Sequence, residues 1–172
     1  MLTENIETDR LILRSMPEED SPLCFSIWLD DEMGKYLSDP PQEKADEAYL
    51  SFAKGIELDE SWFPFIAVSK DTNDFIGTCS IVPQNDSKQY DLGYCVHKKY
   101  WRQGYATEII KALINFGYRK GVRVFTADVA QENAASNAVL RKLGFFIEKE
   151  GSFKKYGTDI IYKKYTYRSN LD

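Results

Sequence analysis

The chain is poor in the residues that build metal centres and disulfide scaffolds. It holds one histidine, His97, and three widely spaced cysteines, Cys24, Cys79 and Cys95, none in a CxxC pair. One imidazole and three scattered thiols cannot supply a cluster of zinc ligands, so no metal is expected and the thiols are expected to be reduced. Long apolar runs are missing too. Nothing approaches the ~18 uninterrupted apolar residues of a membrane span, and the opening MLTENIETDRLILR lacks the apolar centre of a signal peptide. The expectation is a soluble cytoplasmic protein with no membrane partner. Excess positive charge is also absent: 22 Lys and Arg against 27 Asp and Glu leave a net charge of −5. That balance disfavours nucleic acid as a partner, and any phosphate must be gripped locally.

What is present fits one compact domain. The 172 residues are 43 % hydrophobic and 28 % charged, with no repeat and no Pro/Gly/Ser-rich linker, so the whole chain, 1–172, reads as a single unit. Ile6 to Arg14 alternates Leu11 and Leu13 with Arg10, Ile12 and Arg14, the period of a half-buried strand. Helix-start signals over Pro17 to Asp20 lead into a helix carrying Leu23, Ile27 and Trp28, and a second helix is expected from Gln42 to about Leu58. Phe63–Ser69 and Phe75–Pro83 are strands joined by the turn residues 70–74, followed by a strand over Tyr90–Val96. Ala106, Ile109, Ile110, Leu113, Ile114 and Gly117 then mark one face of a long amphipathic helix. A strand over Val122–Val129 completes a strand–helix–strand unit, which implies parallel pairing with a right-handed crossover. Asn133 caps a short helix ending at Leu143-Gly144-Phe145, and strands over 145–150 and 159–167 close a mixed α/β chain.

Between the Tyr90–Val96 strand and the long helix lies His97-Lys98-Lys99-Tyr100-Trp101-Arg102-Gln103-Gly104-Tyr105-Ala106-Thr107. The first N–H groups of a helix have no internal partner and carry the positive end of its dipole, and Gly104 lets an anion approach the backbone. Lys98, Lys99 and Arg102 are the only charged side chains between Asp91 and Glu108, a local +3 in an acidic protein. A plain helix start with a packing glycine reads equally well from these residues alone. Neither GxxxxGK[ST] nor GxGxxG is present, which sets aside nucleotide loops of both kinds.

The run Trp101-Arg102-Gln103-Gly104-Tyr105-Ala106-Thr107-Glu108 resembles the acyl-CoA diphosphate loop of the GNAT N-acetyltransferases, Q/R-x-x-G-x-G/A, with Trp101 at the Q/R position. Two further stretches, Thr8–Arg14 and Asn133–Phe145, are similar to the RimJ/RimL branch, which acetylates ribosomal-protein N-termini. The resemblance implies a GNAT fold: a central, mostly antiparallel twisted sheet with one parallel splayed strand pair, flanked by about four helices. It implies acetyl-CoA as cosubstrate, an amine acceptor that is a peptide N-terminus or a small molecule, and a monomer or homodimer. It also implies cofactor contacts from Tyr94, Cys95 and Val96 on the splayed strand, from Arg102, Gln103, Gly104, Tyr105, Ala106 and Thr107 in the loop, and from Asn133. In the family that strand splays at a bulge, and Gly93 suits a bulge, a close approach or ordinary packing.

Acetyl transfer needs a neutral amine, stabilisation of an oxyanion and a proton for the departing thiolate. By the resemblance Asp91 is the candidate base, though a polar residue at a strand edge would look the same. Many members use a Tyr as acid seven residues after the Asn matched by Asn133, but here that position is Leu140, and the branch points to Ser136 instead. Ser136 is also unremarkable as the third residue after a helix cap. The N–H of Cys95 or Val96 could polarise the carbonyl. A lysine near pKa 10.4 has about three hundredfold less free base at neutral pH than an α-amine near 7.7 to 8.0, so a modest base favours N-terminal amines. A small-amine acetyltransferase and an idle acyl-CoA sensor are the rival readings. His97, beside two lysines, and Cys95 are not assigned catalytic roles. Trp28, Tyr36, Tyr49, Trp62, Phe63, Phe153 and Tyr156 supply more aromatics than a core needs, and some are expected to wall the acceptor pocket.

Overall fold

The computed structural model describes residues 4–37, 62–155 and 157–171. The helix expected over 42–58, with Tyr49, and the residue Tyr156 lie outside them. The described elements are β1 (Ile6–Glu7), β2 (Leu11–Ser15), α1 (Ser21–Trp28), β3 (Phe63–Ser69), β4 (Phe75–Gln84) and β5 (Gln89–Val96). They continue with α2 (Tyr105–Arg119), β6 (Val124–Ala130), α3 (Ala134–Lys142), β7 (Phe146–Lys154) and β8 (Ile161–Asn170). The strands form one sheet in the order β1-β2-β3-β4-β5-β6-β8-β7. Every neighbouring pair is antiparallel except β5 and β6, which α2 connects.

The periodicities explain the elements. Leu11 and Leu13 are buried on one face of β2 while Ile12 and Arg14 are half-buried on the other. In α2 the buried face is Ile109, Ile110, Ala112, Leu113, Phe116 and Gly117, so Phe116 takes part where the sequence pattern had placed Ile114, which is only partly buried. Gly117 is there for space: a Cβ would stand 2.7 Å from Phe125 and 2.8 Å from Tyr90, so only glycine lets α2 sit this close to β5 and β6. Two apolar clusters cover the sheet. The larger joins α2 and α3 to Leu13, Phe65, Ile81, Leu92, Phe125 and Tyr167; the smaller, around Met16, Cys24, Ile66 and Val68, seats α1.

The β3–β4 hairpin turns through Asn73 at φ 58°, as its turn residues predict. The β4–β5 hairpin turns through Asn85, Asp86 and Ser87, all at positive φ, a conformation no glycine signals in this sequence. Parallel pairing of β5 with β6 runs only from Gln89↔Val124 to Asp91↔Thr126. Beyond Asp91 the two strands part. The expected bulge in β5 is not found, because its register with β4 runs unbroken from Gln84↔Gln89 to Gly77↔Val96. Gly93 instead serves close approach, since a Cβ would lie 2.7 Å from the Ser80 hydroxyl oxygen. Among the described residues no helix is long and apolar enough to cross a membrane.

Candidate active site

The parting of β5 and β6 leaves two free backbone edges facing each other. The His97 N–H donates to the Ile76 carbonyl at 2.8 Å, continuing the β4–β5 ladder. Alternation along an antiparallel strand then turns the backbone groups of Cys95 toward β4 and those of Leu92, Tyr94 and Val96 toward the opening. Pro83, which has no N–H, stands opposite Tyr90 at one of the non-bonded positions, as this phase requires. Of the two amides considered as polarising donors, Val96 therefore faces the cleft and Cys95 does not. The Cys95 thiol donates to the Met33 carbonyl at 3.5 Å, and burial pushes its pKa up to about 12. A protonated, buried thiol held on a backbone carbonyl is no nucleophile.

At the far end of β5 the chain passes a short 3-10 turn, Lys98–Tyr100, before α2. Arg102 at φ 60° and Gly104 at φ 81° are both left-handed, and this bends successive N–H groups toward one side. None of the N–H groups of Arg102, Gln103, Gly104, Tyr105, Ala106 and Thr107 donates to an acceptor among the described residues; the first α-helical bond is Glu108 to the Gly104 carbonyl at 3.1 Å. Six consecutive unpaired donors at a helix N-terminus suit a diphosphate. The charge around them differs from the sequence reading. Lys98 reaches Asp30 at 3.5 Å and Glu32 at 3.6 Å, so it is spent on carboxylates, and Lys99 and Arg102 remain as the cations of the loop. Trp101 donates its indole N–H to the Val96 carbonyl at 2.7 Å, and His97 caps the 3-10 turn by accepting from Lys99 N–H at 3.2 Å. Structural roles suffice for both.

Asp91 is the last residue of β5 still paired with β6, so it stands at the apex of the opening. Its Oδ1 accepts the Thr126 hydroxyl at 2.6 Å. Burial pushes its pKa up from 3.8 to about 6; Thr126 opposes the rise, the neighbouring Asp128 adds to it and Lys164 reduces it. Asp128 is itself held by the Thr166 hydroxyl at 2.6 Å and by the Lys164 ammonium. Asp91 is thus a carboxylate poised to take a proton near neutral pH.

Tyr94 points its phenol into the interior near α3, where the hydroxyl is fully buried and has no well-formed hydrogen bond among the described residues. Burial raises it to about 12, and the nearby Ser136 hydroxyl offsets only part of that. Ser136 is placed by the cap of α3: Asn133 Oδ1 accepts the Ser136 N–H at 3.2 Å. The structure therefore brings Tyr94, Ser136 and Asn133 to the same neighbourhood, while Asp91, three residues from Tyr94 on the same strand, turns its side chain to the opposite face of the sheet. Leu140 is wholly buried in the main core, so the place of the usual family Tyr is filled with packing here. Asn137 escaped sequence reasoning. Buried in α3, it donates to the carbonyls of Asn133 at 2.7 Å and Ala130 at 3.1 Å and accepts the Tyr167 hydroxyl at 2.6 Å, fixing the corner that presents Asn133 and Ser136. A polar residue three positions before Leu140, on the same buried face of α3, was its only signal.

The turn over 30–37 reaches both sides of the opening. On the β5 side Met33 meets Cys95 and Lys98. On the other side Lys155 donates to the carbonyls of Gly34 at 3.0 Å and Lys35 at 2.9 Å, and Tyr36 packs edge-on against Tyr162 at 5.5 Å. Phe153 joins that aromatic group at 5.4 Å from Tyr162, whereas Trp28, Trp62 and Phe63 pack against the two cores. Among the described residues no cluster of His, Cys, Asp and Glu could hold a metal ion.

A sheet opened between parallel strands, with a helix N-terminus of unpaired amides beside it and a raised carboxyl at its apex, defines an acyl-CoA-dependent transferase. The acetyltransferase (GNAT) domain family matches residues 10–146, and the chain belongs to that family. It is 29 % identical over 158 residues to the uncharacterized N-acetyltransferase p20 of Bacillus licheniformis, covering 89 % of this chain and 87 % of that one. It is 28 % identical over 155 residues to the uncharacterized N-acetyltransferase YoaA of Bacillus subtilis, with 88 % and 86 % covered. In fold it is similar to RimL, a ribosomal-protein alpha-N-acetyltransferase solved with coenzyme A, at TM-score 0.83 and 22 % identity over 98 % of this chain and 99 % of that one. The microcin self-immunity acetyltransferase MccE, solved with acetyl-CoA and AMP, is similar at TM-score 0.79 and 18 % identity, with 95 % and 94 % covered.

Proposed function

We propose that this acetyltransferase moves acetyl from acetyl-CoA to the α-amine of a peptide by direct attack, with Asp91 as base and Ser136 as acid. The diphosphate is assigned to the amides of residues 102–107, and the pantetheine arm to the backbone edges of Leu92 and Tyr94 and the N–H of Val96, whose carbonyl Trp101 holds, with Asn133 at the end of the next strand. These groups fit, since both sets of donors lack partners among the described residues. Asp91 takes a proton from the incoming ammonium. The amine nitrogen then forms a bond to the thioester carbon, the Val96 N–H faces the developing oxyanion, and the C–S bond breaks as Ser136 gives its proton to sulfur; the second proton of the nitrogen passes to Ser136 in exchange, which leaves a neutral amide and the free thiol. The Tyr94 phenol, beside Ser136 and with no other partner among the described residues, can relay that proton, giving its own to Ser136 as it takes the one from nitrogen. With every thiol buried or half-buried and free, the reaction is assigned to the cytoplasm.

The observation that carries this reading is Asp91, raised to about 6 at the point where the strands part. A base of that strength faces an α-ammonium near 7.7 to 8.0 across a gap of about two pH units, against more than four for a lysine near 10.4. A small-amine acetyltransferase would draw on acidic pocket walls, but Asp128 is already neutralised by Lys164. The test compares thiol release on a peptide with a free N-terminus and on its Nα-blocked, lysine-containing twin. Turnover on the free peptide is expected, and preference for the blocked one overturns the reading.

A further inference from the structure

The turn between β1 and β2 is tied to the diphosphate loop by contacts that acetyl transfer itself does not use. The Thr8 hydroxyl donates to Glu108 Oε1 at 2.5 Å, and the Arg10 N–H donates to the same oxygen at 3.0 Å. Arg10 Nε and Nη2 reach Glu108 Oε2 at 2.7 Å and 2.6 Å. The same guanidinium donates through Nη1 to the Gln103 carbonyl at 3.0 Å and lies 4.1 Å from the centre of the Tyr105 ring. One side chain thus grips the loop, the first residue of α2 and the acid in its first turn.

Two physical consequences follow. A peptide unit is planar, so holding the Gln103 carbonyl toward Arg10 directs the Gly104 N–H to the opposite side, in line with the unpaired donors. Glu108 would otherwise set a negative charge in the first turn of the helix, beside any dianion bound there. Burial opposes ionisation of Glu108, yet the Thr8 hydroxyl, the Arg10 amide and the guanidinium outweigh it and hold the carboxyl charged and below its usual range. Arg10 cancels that charge where a diphosphate would feel it.

We propose that Thr8, Arg10 and Glu108 form a clamp in which Arg10 is a positioning residue for the diphosphate cradle, aiming the Gly104 N–H and masking the Glu108 carboxylate. The proposal rests on reading the loop as that cradle. It accounts for the placement of Thr8 and Arg10, which stand outside the loop by some ninety residues of sequence and whose contacts to Glu108 span 100 and 98 positions.

The test is calorimetric titration with acetyl-CoA and, at millimolar concentration, with S-acetylpantetheine, which ends before the diphosphate. Arg10→Gln is expected to raise the Kd for acetyl-CoA about tenfold and leave that for S-acetylpantetheine within about twofold. Adding Glu108→Gln is expected to recover about threefold or more of the loss, because the bare carboxylate is gone. Damage to the fold would not be repaired by removing a second contact. Thr8→Val, which keeps the ion pair, gives a smaller loss of the same kind and serves if Arg10→Gln fails to fold. A double variant no better than the single one, or equal losses with both ligands, overturns the clamp. Wild-type protein that binds the two ligands equally overturns the cradle and the clamp with it.

Discussion

Replacing Asp91 by Asn separates the catalytic and the structural consequences of burying a carboxyl at the apex of the opening. The amide keeps the shape, and its oxygen can still accept the Thr126 hydroxyl that now lies 2.6 Å from Oδ1. What disappears is ionisation. Because the folded pKa, about 6, lies above the ordinary 3.8, folding favours the protonated form: the contribution to stability is complete below about pH 4 and is lost as pH rises through about 6. A rise of that size corresponds to about 3 kcal/mol once the group is ionised. Asp91→Asn is therefore expected to match wild type in urea unfolding at pH 4 and to exceed it by about 2 to 3 kcal/mol at pH 8. Activity moves the other way. The wild-type kcat/KM should climb through pH 6 as one proton leaves, and the variant should lose about 100-fold or more and that climb with it. Thr126→Val, which removes the donor that lowers Asp91, should shift the climb to higher pH. A stability difference independent of pH, or an unchanged rate profile in Asp91→Asn, would refute the reasoning.

Gly104→Ala puts a side chain at φ 81°, and a loss of about 1 to 2 kcal/mol in thermal stability together with weaker acetyl-CoA binding is expected from melting and titration. Ser136→Ala should lower kcat about 10- to 100-fold while leaving the KM for acetyl-CoA near wild type; an unchanged kcat would move the proton donor to Tyr94. Leu140→Tyr installs the hydroxyl common elsewhere in the family, but the position is wholly buried in the core, so denaturant unfolding should show about 1 to 3 kcal/mol of destabilisation and the assay no gain in rate.

Much of the molecule is readable in its sequence because the forces that shape it are local and periodic. Leu11 and Leu13 announce β2, the 3.6-residue spacing from Ile109 to Gly117 announces α2, and Asn133 with Gly144 brackets α3. The loop proposed to hold the diphosphate is readable for the same reason, since the end of a strand, a glycine and the start of a helix are adjacent in the chain. The rest depends on residues brought together from afar. Arg10 meets Glu108 across 98 positions of sequence, Tyr94 meets Ser136 from a different element, and Asn137 is held by Asn133 in its own cap but also by Ala130 on the preceding strand and Tyr167 on β8. Gly93 shows the limit from the other side: its sequence leaves a bulge, a close approach or ordinary packing open, and only the coordinates show that it serves close approach to the Ser80 hydroxyl. Lys98 makes a similar point, since its charge was visible and its commitment to Asp30 and Glu32 was not.

The turn over 30–37 holds one half of the divided sheet through Met33 and the other through the Lys155 ammonium and Tyr36. Strands that have lost their shared ladder are free to drift unless something bridges them, and this turn is a tie-bar across the gap. Its gauge is set by the reach of a few side chains. Trimming Lys155 would then alter how far the halves stand apart, and the width of the gap in which the proposed reaction takes place would change without any of its proposed reacting groups being touched.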